Sequence, residues 1–224
     1  MNFDLGPNFK LIAVGGGAIN AANYMIDNNV TGIEYIAVDT DERALSESKA
    51  DIKIQLGIKL TAGLGAIKPE IGKRSVDECR DSIAKAIEGA DMLLIIACMG
   101  GGTGTGATPV IAEMAKAAGI FAINIITKPF NYETKTRMDK ALEGISNLRD
   151  NTDATIIIPN EKLLGAEDTL NQAMQAVDKT LCQVVRGLTD IMTTEGLINL
   201  DYNDLVYVFE QSGIAYLGIG QASG

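Results

Sequence analysis

Histidine is absent from the 224 residues. Without an imidazole there is no Ser-His-Asp or Cys-His catalysis and no His-ligated metal. Cysteine is sparse: Cys79, Cys98 and Cys182 are odd in number and far apart, which suggests neither a disulfide framework nor a clustered zinc site. Basic residues are too few to displace counterions from a nucleic-acid backbone, 19 against 29 acidic, a net charge of −10. That balance leaves nucleotide binding open, because a nucleotide needs only local donors. No Gly-Lys-Ser/Thr occurs, so a classical P-loop is excluded. No basic and apolar leader opens the chain, and the longest apolar run, residues 92–99, is too short to cross a bilayer. A cytoplasmic protein without direct membrane contact is expected, and an apolar share of 46% with 21% charged is ordinary for a soluble one.

What the chain does have is glycine in one place. Residues 100–106 read Gly-Gly-Gly-Thr-Gly-Thr-Gly, between an apolar run (91–98) and a helical pattern (107–118). A strand entering a bare-backbone loop and then a helix aims unpaired N–H groups and the positive end of the helix dipole at one point. That point suits a phosphate chain. Glycine is expected there because a side chain would clash with phosphates or forbid the required backbone angles. Thr103 and Thr105 add hydroxyl donors, and Pro109 fits a first helical turn. A flexible hinge is the bland alternative, but a hinge has no reason to separate a buried strand from a helix start. A second turn of this type, residues 15–20, follows a strand at 9–14 and precedes a helical pattern at 21–27. It approximates Gly-x-Gly-x-x-Gly with Asn20 in the last place, and Asp39 ends the next strand about 20 residues on, as a dinucleotide fold requires. That reading leaves the glycines of residues 100–106 unexplained.

Further strands are expected at 33–39, 51–56, 120–127 and 154–158, with helices at 70–88 and 133–149 and a loop at 57–69. Continuous apolar strands alternating with helices predict an α/β domain with a doubly wound, mostly parallel sheet. Its ligand edge lies beyond the carboxyl ends of the strands, where both glycine turns fall. Residues 169–192 carry an apolar helical stripe, giving a core helix of roughly 36 Å. Beyond it, residues 193–203 form a loop with Asn199, Asp201 and, just past it, Asp204, and either Asn203 or Asp204 alone reads as a helix cap.

Taken together, residues 14–20 and 100–106, Thr127-Lys128-Pro129-Phe130, Ile158-Pro159-Asn160 and the run 196–204 resemble the FtsZ branch of the tubulin/FtsZ superfamily, in order along essentially the whole chain. The resemblance implies a Rossmann-like GTP-binding domain (1–168), a central core helix (169–192), and an acidic catalytic loop with the start of a second domain (193–224). It implies GTP/GDP and Mg²⁺ as ligands. Gly16, Gly17, Ala18, Ile19 and Asn20 fall on the first loop, Asn20 toward the base. Gly101, Gly102, Thr103 and Gly104 fall on the phosphate loop, and Glu133 and Arg137 on ribose and phosphate contacts. Asn160 and Asp178 fall on guanine contacts, with Met174 where a phenylalanine usually covers the base. Asp201, Asp204 and Asn199 fall on the loop that enters the next subunit's pocket and orients the attacking water. The implied partner is therefore the protein itself, in a head-to-tail filament of the kind used in cell division and septation.

Several positions depart from the family pattern. Ala18 and Ile19 stand where glycine or asparagine is usual, and the loop 63–69 is one residue short, with Ile67-Lys68 in place of small and amide residues. The chain stops at Gly224, where relatives continue into a second domain and a tail that recruits membrane anchors. The expectation is an excised portion or a reduced relative with that domain largely missing, without tail-dependent partners, weak in assembly and slow in turnover. Two other readings stay open: an assembly-deficient nucleotide-binding regulator, favoured by Ile67, and an NAD-linked oxidoreductase, favoured by residues 15–20 and Asp39.

Overall fold

Six short runs become strands, and the inner ones are continuously apolar because they are buried on both faces, the condition of a parallel sheet covered by helices; the edge strands keep exposed residues such as Lys53 and Ile157. In the computed structural model, which describes residues 7–148, 152–165, 169–193, 206, 207 and 209, the six are β1 (Phe9–Val14), β2 (Ile33–Asp39), β3 (Ile52–Gln55), β4 (Met92–Cys98), β5 (Phe121–Lys128) and β6 (Ala154–Pro159). Their order is β3-β2-β1-β4-β5-β6, and all five ladders are parallel. The chain order reverses between β1 and β4. A crevice for a ligand therefore opens above Val14 and Cys98, where the connections leave to opposite faces.

The helices are α1 (Gly16–Asp27), α2 (Glu42–Ser46), α3 (Ile58–Thr61), α4 (Pro69–Asp77), α5 (Arg80–Ile87), α6 (Gly102–Ala117), α7 (Lys135–Leu148) and α8 (Leu170–Thr193), with a 3-10 turn at Asn160–Leu163. Period-two alternation divides the strands between two cores. Leu11, Leu94 and Ile123 face α1 and α8, while Ile12, Leu93 and Ile126 face α4 to α7. On α8 the stripe Val177, Leu181, Val184 and Leu188 is buried against the first core, each side chain contributing about 1.5–3 kcal/mol. Ile191, the last residue of the expected stripe, has its side chain outside the described set.

Three expectations need correction. The glycine turns are not loops leading to helices: α1 starts at Gly16 and α6 at Gly102, each five residues before its expected start. Pro109 consequently lies inside α6 rather than in its first turn, removing one N–H from the helix ladder. The single helix expected at 70–88 is two, broken at Glu78 and Cys79, where Cys79 leaves helical geometry (φ −128°, ψ 15°) and its Sγ donates to the Gln55 carbonyl at 3.2 Å. The segments 42–46 and 58–61, where no helix was expected, are the short α2 and α3. Asp41 caps α2 by accepting from the Arg43 N–H at 2.9 Å. Among the described residues no helix is long and apolar enough to cross a membrane.

Candidate functional site

The two glycine turns meet. A methyl built on Gly15, which has φ +86°, would lie 3.3 Å from Gly104 N and 3.7 Å from Thr103 Cβ. The first turns of α1 and α6 thus stand side by side above the switch point, and the first N–H groups of each have no partner within the helix. Ile19 N–H is already used, donating to Gly15 O at 3.0 Å. Ala18 and Ile19 bury their side chains in the core. They are available to a ligand through backbone at most, whereas Gly17 and Asn20 are exposed.

On α6 the glycines divide into two kinds. A methyl on Gly101 would meet nothing within 4 Å, so this residue faces open space beside the unpaired amides. A methyl on Gly102 would lie 2.1 Å from Ala66 O, on Gly104 2.8 Å from Cys98 O, and on Gly106 1.9 Å from Pro69 O. These three are demanded by protein packing: the loop 63–69 and the start of α4 lie backbone to backbone on α6 at Gly102 and Gly106, and the end of β4 does so at Gly104. Only the Gly101 end of the run answers to the phosphate argument made for all of it. Gly100 has φ +104° and donates its N–H to Thr105 Oγ at 2.8 Å. Thr105 is thus an internal brace, and Thr103, buried at 6% exposure, has its Oγ 2.8 Å from Thr40 Oγ. Both hydroxyls expected as donors already take part in bonds within the protein, Thr105 Oγ as an acceptor.

Across the crevice, on the α1 and α8 side, a second set of side chains gathers around Cys98. Burial pushes this thiol up to about 11; a hydrogen bond with Thr127 and the charge of Arg137 lower it, while those of Asp178 and Glu133 raise it. Residues from α7, the loop before it and α8 are therefore within electrostatic reach of one sulfur atom at the end of β4. The same sulfur would stand 2.9 Å from a methyl on Gly17. Glu133 accepts from Phe130 N–H at 2.9 Å and pairs with Arg137 Nε at 3.1 Å. Four residues apart, they form an ion pair in which Glu133 is largely buried and Arg137 exposed.

Two acceptors in this region lack what burial normally requires. Asn160, at 7% exposure on the turn after β6, has an Oδ1 with no hydrogen-bond partner, an uncommon condition for a buried amide. Asp178 on α8 has its carboxyl raised to about 6 by burial alone. A nucleobase offering N–H donors would satisfy both. Met174, one turn before Asp178, is 47% exposed, a sulfur-bearing apolar surface open at the same helix end. Asn199, Asp201 and Asp204 lie outside the described residues. Among the described residues no three acidic or cysteine side chains converge to hold a metal.

Sequence reasoning missed Thr40, Ala66 and Lys140. Thr40 Oγ accepts from Ala66 N–H at 2.8 Å, and Lys140 Nζ donates to Ile67 O at 3.1 Å, so α7 and the end of β2 both hold the loop 63–69 against α6. No local pattern marks them. Asp39 is only 3% exposed, and its Oδ1 accepts from the N–H groups of Thr40 at 2.7 Å and Asp41 at 3.3 Å. It is not free to meet a ribose. A cavity of about 510 Å³ between α4, α6 and α7 is lined by Lys73, Thr105, Glu113 and Lys140, among others; of the glycine-threonine run only Thr105 and Gly106 reach it.

A strand order of 3-2-1-4-5-6 with two glycine-led helix starts at its switch point defines a doubly wound nucleotide-binding α/β protein. The model of the Tubulin/FtsZ family, GTPase domain, matches residues 8–168. The chain belongs to that family. It is similar to FtsZ of M. jannaschii, solved as an empty dimer, with 37% identity and a TM-score of 0.89, covering 93% of this chain and 62% of that one. A mutant form of the same protein gives 37% identity and a TM-score of 0.90, covering 93% and 64%. CetZ2 from Haloferax volcanii, solved as a GTPγS-bound protofilament, shares the fold at 18% identity and a TM-score of 0.81, covering 92% and 64%. The chain thus spans less than two thirds of the length of these relatives.

Proposed function

We propose that the chain is the nucleotide-binding part of an FtsZ-like GTPase that binds GTP and GDP at its strand ends and stacks head-to-tail with copies of itself. The observation that carries this reading is the unpartnered buried Asn160 Oδ1 on the turn that packs against α8, the helix whose Asp178 carboxyl is held up by desolvation alone. Guanine presents N–H donors at N1 and N2, which an ionised Asp178 accepts, with Asn160 Oδ1 as a further acceptor. Adenine has no N1 donor and is rejected, because it would leave these acceptors buried and unsatisfied. Asn20, exposed on the second turn of α1, reaches toward the base, Met174 covers it, and Glu133 with Arg137 contacts ribose and phosphate. The amides opening α1 (Gly16, Gly17, Ala18) and α6 (Gly101, Gly102, Thr103, Gly104) receive the phosphates.

Mg²⁺ would supply charge neutralisation at the γ-phosphate, and no cluster of acidic or cysteine side chains among the described residues would hold it. What the protein contributes is position and field. We assign Asp201, Asp204 and Asn199 to orienting the attacking water in the pocket of the adjacent subunit. The proposed division is 1–168 for nucleotide binding, 169–192 for the core helix and 193–224 for the acidic loop. The dimeric state of the M. jannaschii FtsZ structure supports self-association. A contact of this kind is heterologous and leads to a filament used in division.

A second reading, a nucleotide-binding regulator that does not assemble, is favoured by Ile67 and Leu64, exposed at 79% and 69% on the loop 63–69. Turnover per subunit measured against protein concentration separates the two. A rise with concentration, abolished by Asp201→Ala, supports the self-assembling GTPase; a flat, near-zero rate supports the regulator. Competition of GTP against NAD tests the dinucleotide reading, against which the buried Asp39 carboxylate weighs.

A further inference from the structure

Ala66, in the loop 63–69, touches the first turn of α6 in two ways. Its carbonyl oxygen occupies the space a side chain on Gly102 would need, 2.1 Å from the built methyl. Its N–H donates to Thr40 Oγ at 2.8 Å, and that oxygen lies 2.8 Å from Thr103 Oγ on α6. Thr103 helps to lower the otherwise raised pKa of the Asp39 carboxyl, and Thr40 Oγ stands as a donor 3.5 Å from Asp39 Oδ1. Ala66 N–H is only a donor and an ionised Asp39 only an acceptor, so both hydroxyls lead toward Asp39, and either oxygen can donate in the Thr40–Thr103 bond. Thr40 and Asp39 are 0% and 3% exposed, so water does not compete for these bonds.

We propose that Thr40 is a positioning residue through which the phosphate-facing turn of α6 sets the place of the loop 63–69. This deepens the functional reading above and rests on it for the nucleotide, though the hydroxyl chain itself exists without one. Thr103 is the second residue of α6, next to the open Gly101 end. An anion that draws the Thr103 hydroxyl toward itself takes it from Thr40 Oγ, the same oxygen that holds the Ala66 N–H. Ala66 follows, because its N–H has no other partner among the described residues. Lys140 holds the next carbonyl, Ile67 O, from α7. Glu42 N–H holds Gly63 O at 3.1 Å, so the movable part of the loop is confined to residues 64–66. A γ-phosphate, present in GTP and missing in GDP, is the group that would make the difference.

The test uses Thr40→Val, which keeps the shape and removes the hydroxyl, and Thr40→Ser, which restores it. Amide hydrogen exchange of the nucleotide-free protein should show Ala66 exchanging roughly tenfold faster in Thr40→Val, with strand amides such as Leu94 unchanged and Thr40→Ser behaving as wild type. The ratio of GTP to GDP affinity should move toward unity in Thr40→Val while GDP affinity is retained. Unchanged Ala66 exchange overturns the proposal, as does a loosened Ala66 with an unaltered affinity ratio. Should Thr40→Val not fold, Thr103→Val breaks the same chain and is read by Ala66 exchange. If wild type binds neither nucleotide, the functional reading fails, and the exchange arm still decides whether Thr40 places the loop.

Discussion

At Asp178 a single carboxyl links stability to recognition. Burial raises its pKa to about 6 from an ordinary 3.8, so the folded protein prefers it protonated. Its contribution to stability is complete below the ordinary value and is lost as pH rises through about 6. At neutral pH the nucleotide-free protein therefore carries an unfavourable ionised group, and Asp178→Asn should stabilise it. Allowing for partial exposure, the gain is about 1 kcal/mol, read as a melting temperature higher by about 2–4 °C. Recognition runs the other way, because guanine donates to the ionised form. GTP affinity in wild type should hold above about pH 7 and fall about tenfold per unit well below pH 6. Calorimetric titration across this window checks it: a flat wild-type profile, or one shared with Asp178→Asn, rules out the assigned contact. The spacing of residues along α8 gave no hint of this role. Asp178 was distinguished from a solvated helix acid only by the family resemblance, since neither its burial nor the unpartnered Asn160 Oδ1 is visible in one dimension.

Among the elements, α6 shows what a sequence conveys and what it hides. The runs that became β1, β2, β4 and β5 were legible because strands buried on both faces must be continuously apolar. The start of α6 was not legible. Five glycines in seven residues look like a loop, because glycine costs a helix about 1 kcal/mol relative to alanine. Contact with another backbone repays that cost here: Ala66 O and Pro69 O occupy the space where side chains of Gly102 and Gly106 would stand. The same blindness to tertiary approach hid Thr40 and Lys140. It follows that neighbouring glycines should respond differently to a methyl group. Gly102→Ala should cost about 1–3 kcal/mol in urea denaturation and displace the loop 63–69. Gly101→Ala, facing open space, should cost under about 1 kcal/mol yet weaken GTP binding by at least roughly tenfold, since the methyl stands between the α6 amides and the phosphates. Equal stability losses in the two variants would mean that the division between packing and ligand glycines is wrong.

For the whole molecule, the decisive question is where the acids of residues 199–204 act. The crevice lies above the carboxyl ends of the strands, and α8 leaves it for a length of roughly 36 Å. On the proposed function the acids of residues 199–204 act in a neighbouring copy, because the far end of α8 stands a helix length from the strand ends. Complementation tests this directly. Asp201→Ala keeps a pocket and lacks the acid, whereas Gly101→Ala keeps the acid and has a spoiled pocket, and each alone should hydrolyse GTP slowly. Mixed in equal amounts and free to join in either order, the two create junctions that pair a sound pocket with a sound acid in about a quarter of cases. The mixture should therefore turn over GTP faster than the average of its parts, and the excess should vanish on dilution as the junctions dissociate. A mixture no faster than that average, at concentrations where wild-type turnover depends on concentration, would place the acids and the pocket within one subunit.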